Sequence, residues 1–353
     1  AQKLKFKALK SKAEQFVTEI ATERGLTRDE LEDRVVPDCG LDEKGRREFS
    51  FGPRSFSFVL SGDLKAAVRD ESGKIRGDLP AANAKDDEAT AKESIAEWKL
   101  MKKQIKEVAT IQAGRLEQSM VTGRRWNTGD FEELLVRHPL MTHLVQKAIW
   151  AGYDEKKKRT TTFRITEERD YASSDDESVS LAGVTSVGLV HPLELSDAER
   201  SRWGEVLSDY EIVSPFPQLG RAIYSLEKGE ENKDSIERFH GLKLVAPTLV
   251  FTLEKLGWTR GVAMDGGCFT EHSKQFPAAN VTAVVNYEGT VAMGYIDPNE
   301  ILTLESICFC SGMRSPSGYG WDKSDKKLKL AEVPPVVCSE VVADLQVLKS
   351  KAK

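Results

Sequence analysis

Several signatures by which common enzymes are recognised do not occur in this sequence. Its 353 residues contain no phosphate-binding glycine loop, no dinucleotide-binding fingerprint and no Gly-x-Ser-x-Gly nucleophile turn. No run of about 18 apolar residues is present, so we expect no membrane-spanning helix and no membrane partner. The commonest nucleotide-dependent and hydrolytic enzymes are therefore disfavoured without being excluded, and the cofactor, if any, stays unknown.

Cysteine is scarce and the charges nearly balance. Only five cysteines occur, an odd number, and all but Cys308 and Cys310 lie far apart. No secretion signal is recognisable, so we expect reduced thiols and a cytoplasmic location. A net charge of −5 argues against a general polyanion binder, although a local basic patch is compatible with it.

Residues 84–150 organise the rest of the chain. An almost entirely apolar stripe recurs there at steps of three and four, formed by Ile95, Trp98, Met101, Ile105, Val108, Gln112, Leu116 and Met120. Asn83, Asp86 or Asp87 can cap its start. The pattern predicts one helix of about 35 residues, roughly 50 Å long at 1.5 Å per residue, against which other elements pack.

Alternating apolar and polar residues flank this helix on both sides. Residues 47–69 predict a small antiparallel meander, and the C-terminal part predicts five strands, at 258–264, 268–276, 281–287, 291–296 and 301–309. Glu288-Gly289 indicates a hairpin turn between two of them. The predicted class is α+β: a long central helix with short helices, a small N-terminal meander and a larger C-terminal antiparallel sheet.

Four regions follow from these patterns. Residues 1–46 are expected to form N-terminal helices that end a longer helical region, since the chain starts at Ala1 without a methionine. Residues 47–150 contain the meander, the long helix and a helix pair. Residues 151–242 form a mixed segment with loops, and residues 243–353 form the antiparallel sheet with a closing helix.

Basic and aromatic residues near the end of the long helix are candidates for an anion-binding or stacking site. They are Arg124, Arg125 and Trp126, and Gln218 and Arg221 in a stiff proline-rich segment could join them. The alternative is that these arginines pair with carboxylates such as Glu117 or Glu211.

His138 and His191 are candidate acid–base residues, because an unperturbed histidine titrates near neutral pH. Each histidine also has a structural alternative. His138 precedes Pro139 and can cap the helix that the proline opens, and His191 can form a structural hydrogen bond at a strand end.

Cys308 and Cys310 are two residues apart on a predicted strand and face the same side of it. With Cys268 and His272 on an earlier strand they would form a zinc-binding set of acceptable chemistry, if all four converged. The usual closely spaced cysteine pairs are missing, so ordinary core positions are the alternative and no metal is expected.

Short motifs spread over nearly the whole chain carry a family resemblance. They include Arg24-Gly25-Leu26-Thr27, Pro37-Asp38-Cys39-Gly40-Leu41-Asp42, Arg115-Leu116-Glu117-Gln118, Arg124-Arg125-Trp126, His138-Pro139-Leu140 and Pro215-Phe216-Pro217-Gln218-Leu219. With these motifs the chain resembles the C-terminal region of a bacterial family of unknown function. Its members often carry a WGR domain and include MolR-like proteins, named for molybdate metabolism regulation.

This resemblance implies a longer, often helical polypeptide before the region, but no reaction. Trp203-Gly204 is followed by Glu205 rather than arginine, so nucleic-acid binding is not implied by the associated WGR domain.

Three functional hypotheses remain open. The first is a non-catalytic interaction or scaffold module of a larger bacterial regulatory protein, whose partner is another protein or the upstream part of the same polypeptide. The second is an enzyme acting on a phosphorylated or nucleotide-like substrate through the arginines and His138 or His191. A weaker third is nucleic-acid binding through the lysine face of the long helix.

Overall fold

The computed structural model describes residues 7–60, 65–313 and 326–352. Two helices come first, α1 (Lys7–Glu23) and α2 (Arg28–Arg34). Thr27 caps α2 through the amide of Glu30, whose side chain accepts from the Thr27 amide in return. The meander follows in the strand order β1-β2-β3-β4, with β1 at Glu48–Ser50, β2 at Ser55–Leu60, β3 at Ala66–Asp70 and β4 at Ile75–Arg76.

The predicted long helix is confirmed as α3 (Glu88–Thr122), a single helix of 35 residues. Asp87 caps its start, with Oδ1 accepting from the Thr90 amide at 2.7 Å. Gly123 ends it in the left-handed conformation at φ 68°. The apolar stripe is buried at Trp98, Met101, Ile105, Leu116 and Met120.

A second antiparallel sheet has the order β5-β9-β6-β7-β8. Its strands and helices are β5 (Arg125–Asn127), α4 (Thr128–Asp130), which continues into a π-helix over Phe131–Val136, α5 (Thr142–Val145), β6 (Trp150–Tyr153), β7 (Arg159–Ile165), β8 (Tyr171–Ala172), β9 (Ser186–Leu189) and α6 (Asp197–Asp209). The turn between β7 and β8 and the N-terminal end of α5 both approach the loop before β1.

The C-terminal sheet is antiparallel, in the order β10-β14-β13-β12-β11. Its elements are β10 (Lys243–Val245), α7 (Ala246–Lys255), β11 (Thr259–Arg260), β12 (Cys268–Phe276), β13 (Val281–Ala292), β14 (Ile301–Ser311) and the closing helix α8 (Pro335–Lys349). The α+β class with a long helix and a C-terminal antiparallel sheet is therefore confirmed.

The predicted hairpin turn at Glu288-Gly289 is wrong. β13 continues through both residues, and Glu288 lies opposite Thr303 of β14. Gly289 has φ +102°, and a Cβ there would lie 2.7 Å from Leu302 Cδ2. The glycine allows a close approach between two long strands, not a chain reversal.

Two main hydrophobic cores share α3. One joins the meander, the stripe of α3 and the second sheet, and the other joins α7 and α8 to the C-terminal sheet. Trp98 and Leu116 of α3 belong to the first core, whereas Val121 belongs to the second. None of the helices within the described ranges is both long and apolar enough to cross a membrane.

Candidate functional site

Arg124 and Trp126 meet at the buried carboxylate of Asp33 in α2. Arg124 Nη2 and Trp126 Nε1 donate to Asp33 Oδ2 at 2.5 and 2.7 Å, and Arg115 Nη2 donates to Oδ1 at 2.7 Å. The Arg124 guanidinium also lies over the Trp126 ring, 4.7 Å from its centroid. In this Asp33 cluster, Arg124 and Trp126 donate to Asp33 and not to a ligand. The cluster also joins α2 to the end of α3.

Arg221 and His191 meet at Glu340 of α8. Arg221 Nε and Nη2 donate to the two Glu340 oxygens at 2.6 Å each, and its Nη1 donates to Glu117 Oε1 of α3 at 2.6 Å. His191 Nε2 lies 3.0 Å from Glu340 Oε1, and both side chains are 1% exposed or less. The predicted histidine and arginine therefore converge, but around a buried carboxylate.

The ionised form of Glu340 is favoured in this cluster. Burial raises the pKa of the carboxyl, but the hydrogen bonds from His191 and Arg221 and the charge of Arg221 outweigh it and lower the pKa to about 2. Arg221 carries a single positive charge and contacts two carboxylates. The charged side chains of the Glu340 cluster bind one another, and in this sense the cluster is closed. It joins α3 and α8 to the segments after β9 and α6.

Gln218 and Arg125 have partners of their own. The buried Gln218 amide accepts from the Ile149 amide at 2.9 Å and donates to the Ile149 and Val190 carbonyls at 2.7 and 3.0 Å. It therefore joins two backbone segments beside the second sheet. The Arg125 guanidinium lies over the Tyr153 ring, 3.3 Å from its centroid.

His138 forms the capping contacts that were the structural alternative to an acid–base role. Its Nδ1 accepts from the amides of Leu140 and Met141 at 3.2 Å each, and its Nε2 lies 3.0 Å from the Val36 carbonyl. With Nδ1 accepting, Nε2 carries the proton and donates to that carbonyl. The side chain thereby fastens the turn before α5 to the segment after α2.

The four metal candidates belong to the C-terminal sheet. Cys308 and Cys310 are buried in β14, opposite Val284 and Thr282 of β13. His272 of β12 is buried, and burial together with the charge of Arg260 lowers its pKa to about 3. Across the described ranges, no three histidine, cysteine, aspartate or glutamate side chains are arranged to hold a metal ion, so these four do not form the zinc set.

A groove of about 980 Å³ lies between the loop before β1, the outer face of the meander and the region of α5 and the β7–β8 turn. We call it the basic groove. Its charged lining consists of Lys44, Arg46, Arg47, Arg69 and Arg169, with Asp42, Glu48 and Glu167. Five cations thus face three carboxylates, in a protein whose net charge is −5.

The loop that carries Lys44 and Arg46 is fixed by its own hydrogen bonds. Asp42 Oδ1 accepts from the amides of Lys44 and Arg46 at 2.9 and 2.8 Å, and the Asp42 amide donates to the Arg46 carbonyl at 2.8 Å. The backbone amide of Arg46 is the largest cause that lowers the pKa of Asp42. The carboxylate therefore stabilises a tight turn that presents two cations.

Gly45 lets this loop pack tightly against the segment before α5. Its φ is +72°, and a Cβ there would lie 2.6 Å from the Pro139 carbonyl oxygen and 2.9 Å from His143 Nε2. His143 Nε2 lies 2.8 Å from the Gly45 carbonyl, the acceptor of its N–H. No larger residue fits without moving backbone, so the glycine sets the distance between two walls of the groove.

Three of the five cations lack a carboxylate partner within the described part of the chain. Lys44 and Arg69 are exposed, and the strand register places Arg69 opposite Ser57 of β2, which separates it from Glu48 of β1. Arg169, at φ +70°, donates from Nη1 to the Glu43 carbonyl at 3.1 Å, while its buried Nη2 has no partner among the described residues. Within the same part of the chain, the buried Thr142 Oγ1 of this wall has no partner either.

His143 contributes a neutral imidazole to the groove. Burial lowers its pKa, and the charges of Lys147 and Arg169 lower it further, although the hydrogen bond to Gly45 opposes this. A bound anion would counter the positive charges and raise the pKa of His143. The groove therefore combines accessible cations, two buried side-chain atoms with no hydrogen-bond partner in the described ranges, and one histidine whose pKa responds to charge.

Sequence reasoning missed this groove. One signal was available: Lys44-Gly45-Arg46-Arg47 places three cations around a glycine, two residues after Asp42, which can form a turn. The remaining cations come from β3 and from the turn after β7, and neither is near that motif in sequence.

Residues 73–258, more than half of the chain, match the family described as "Domain of unknown function (DUF4132)". The chain belongs to the DUF4132 family. The matched segment contains α3, α5 and the second sheet, whereas Lys44 and Arg69 of the basic groove precede it.

A curated relative supports this membership. The chain is similar to "Uncharacterized protein YehI" of Escherichia coli (strain K12), with 33% identity over 263 residues. The match covers 74% of this chain but only 22% of that protein, so the DUF4132 chain described here corresponds to a minor part of its relative. No solved structure matches it.

Proposed function

We propose that this chain is a non-catalytic binding module of a longer bacterial protein, and that the basic groove is its binding site for an anionic ligand. One observation carries the proposal: cations from three separate parts of the chain line one groove, and three have no carboxylate partner within the described residues. The arginines of the Asp33 and Glu340 clusters are, in contrast, already paired.

The surroundings of the cations favour binding. The turn at Asp42 and the close packing at Gly45 fix the backbone at Lys44 and Arg46 before any ligand arrives, which reduces the ordering cost of binding. A ligand oxygen can accept from Arg169 Nη2 once that guanidinium tilts toward the groove. Three carboxylates in the same lining disfavour an extended polyanion and favour a ligand with localised negative charge.

Other parts of the molecule support contact with a further protein segment. Phe16 and Ile20 lie one turn apart on α1 and are 51% and 42% exposed, so two large apolar side chains are open to contact on the same helix. We propose that the partner is another protein or a further part of the same polypeptide. We also propose that the protein is cytoplasmic, and that the longer protein is a regulatory, MolR-like protein associated with a WGR domain.

The direct test measures binding of inorganic pyrophosphate by isothermal titration calorimetry, for the wild type and for a Lys44→Glu/Arg69→Glu variant. We expect pyrophosphate binding that weakens with added salt and that falls at least about tenfold in the variant, which corresponds to about 1.4 kcal/mol. Lys228→Glu/Lys243→Glu is the matched control, because both lysines are exposed and neither lines the groove. Equal binding by both double variants, or none by the wild type, would contradict the proposal.

An enzyme acting on a phosphorylated or nucleotide-like substrate is the second candidate function. It is favoured by His143, a neutral histidine that lines the groove beside the cations. Release of orthophosphate in the same pyrophosphate samples, followed by phosphorus NMR, would support the enzyme over the binding module. Nucleic-acid binding through the lysines of α3 stays a weaker prediction.

A further inference from the structure

A second groove, of about 520 Å³, adjoins the basic groove. We call it the apolar groove. Leu100, Met101 and Val108 of α3 line one side of it, and Pro37, Cys39 and Phe49 line the other. Gly40 and Arg47 line both grooves, and a Cβ on Gly40 would meet nothing within 4 Å. The two grooves therefore meet at an open position beside Arg47.

Leu100 is the least expected residue of the apolar groove. It is 62% exposed on α3, although its neighbour Met101 is buried. A flat apolar group that covered Leu100 would remove apolar surface from water, which favours binding. The exposed leucine thus marks the part of the groove where an apolar ligand face gains most.

Polar groups at the rim restrict what that ligand can be. Asp38, Glu97 and Gln104 line the apolar groove, and the Gln104 side chain is exposed, with no partner among the described residues. Two carboxylates would disfavour a lipid acyl chain, because the chain would remove water from them and offer no hydrogen bond in return. The amino and imino groups of a nucleobase, in contrast, donate hydrogen bonds to carboxylates.

Arg47 lies between the two compartments. Its Nη2 donates to Glu97 at 2.5 Å, and its guanidinium lies 6.0 Å from the centroid of the Phe49 ring. A planar guanidinium can stack on a flat ring and bind phosphate oxygens with its N–H groups. Its position suits the junction between a base and the phosphates attached to it.

We propose that the two grooves together bind a nucleoside phosphate, with the base in the apolar groove over Leu100 and the phosphates in the basic groove among Lys44, Arg69 and Arg169. This rests on the proposed anion-binding function and names the ligand class. Cytosine, adenine and guanine, which carry exocyclic amino groups, fit the acidic rim better than uracil does.

The experiment compares guanosine, adenosine and uridine diphosphates with inorganic pyrophosphate, by calorimetry on the whole chain. We expect the guanosine or adenosine compound to bind at least about tenfold more tightly than pyrophosphate, and the uridine compound to show a smaller advantage. Leu100→Glu should remove the advantage of the base and leave pyrophosphate binding within about twofold. Val213→Glu is the matched control, since Val213 is 60% exposed and lies outside both grooves.

The outcomes separate the two proposals. If pyrophosphate binds and no nucleoside diphosphate binds more tightly, the nucleotide assignment is wrong and the anion-binding function stands. If a nucleotide binds but Leu100→Glu and Val213→Glu behave alike, the base does not occupy the apolar groove and the assignment fails. Absence of binding by every probe would overturn both proposals.

Discussion

The Glu340 cluster and the basic groove use the same kinds of side chain for different ends. In the cluster, Arg221 lies between Glu340 and Glu117, and the histidine beside it is 1% exposed. In the groove, Lys44, Arg69 and part of Arg169 lack such partners within the described chain. Buried charge requires compensation inside the fold, whereas charge beside an open groove remains available to a ligand. The Glu340 cluster and the basic groove differ in whether their charged side chains are already paired and in whether a ligand can reach them. Residue type alone does not show this difference.

The largest expected effect comes from removing the charge of Glu340. Glu340→Gln leaves Arg221 with Glu117 as its only carboxylate in the Glu340 cluster and removes the negative partner of His191. We expect the free energy of unfolding to fall by about 3 kcal/mol, measured by urea denaturation, because an ion-paired buried charge loses its partner. Glu205→Gln, at an exposed position, should change it by less than about 0.5 kcal/mol. Similar losses in the two variants would show that the cluster contributes little.

The pH dependence of the same variant sharpens this contrast. The pKa of Glu340 falls from its ordinary 4.5 to about 2 in the fold, so its contribution is present above pH 4.5 and is lost as the pH falls toward 2. The gap in unfolding free energy between wild type and Glu340→Gln should therefore be widest at neutral pH and should shrink below pH 4.5. At neutral pH this gap in unfolding free energy should be about 3 kcal/mol, because each unit of the pKa change from 4.5 to about 2 contributes 1.36 kcal/mol. A gap of constant size down to about pH 3 would exclude an ionised Glu340 as its source.

The long helix is predictable because its determinants are local. The apolar stripe repeats within α3, Asp87 lies one residue before it, and Gly123 one residue after it. The partners of Arg221 are harder to predict. Glu117 was one of two proposed carboxylates, but Glu340 lies 119 residues away in α8, and only the packing of α8 near α3 brings them together.

The basic groove is difficult to predict from the sequence for a similar reason. Its cations come from the loop before β1, from β3 and from the turn after β7, and the Gly45 contact with Pro139 fixes their spacing. No periodic pattern relates Arg69 to Arg169. The error at Glu288-Gly289 differs, since a glycine between alternating runs serves a turn and a close strand contact equally well, and only the neighbouring strand distinguishes them.

The smallest expected effect on stability is also the sharpest test of the comparison. Lys44 and Arg69 are exposed and unpaired within the described residues, so Lys44→Glu/Arg69→Glu should change the free energy of unfolding by less than about 0.5 kcal/mol. The same double variant is expected to lose most of the pyrophosphate affinity, because its side chains serve the groove and not the fold. Urea denaturation and calorimetry on one preparation measure both properties. A loss of stability comparable to that of Glu340→Gln would mean that the groove, too, is a closed structural cluster, and that its open cations are needed to hold the meander against α5.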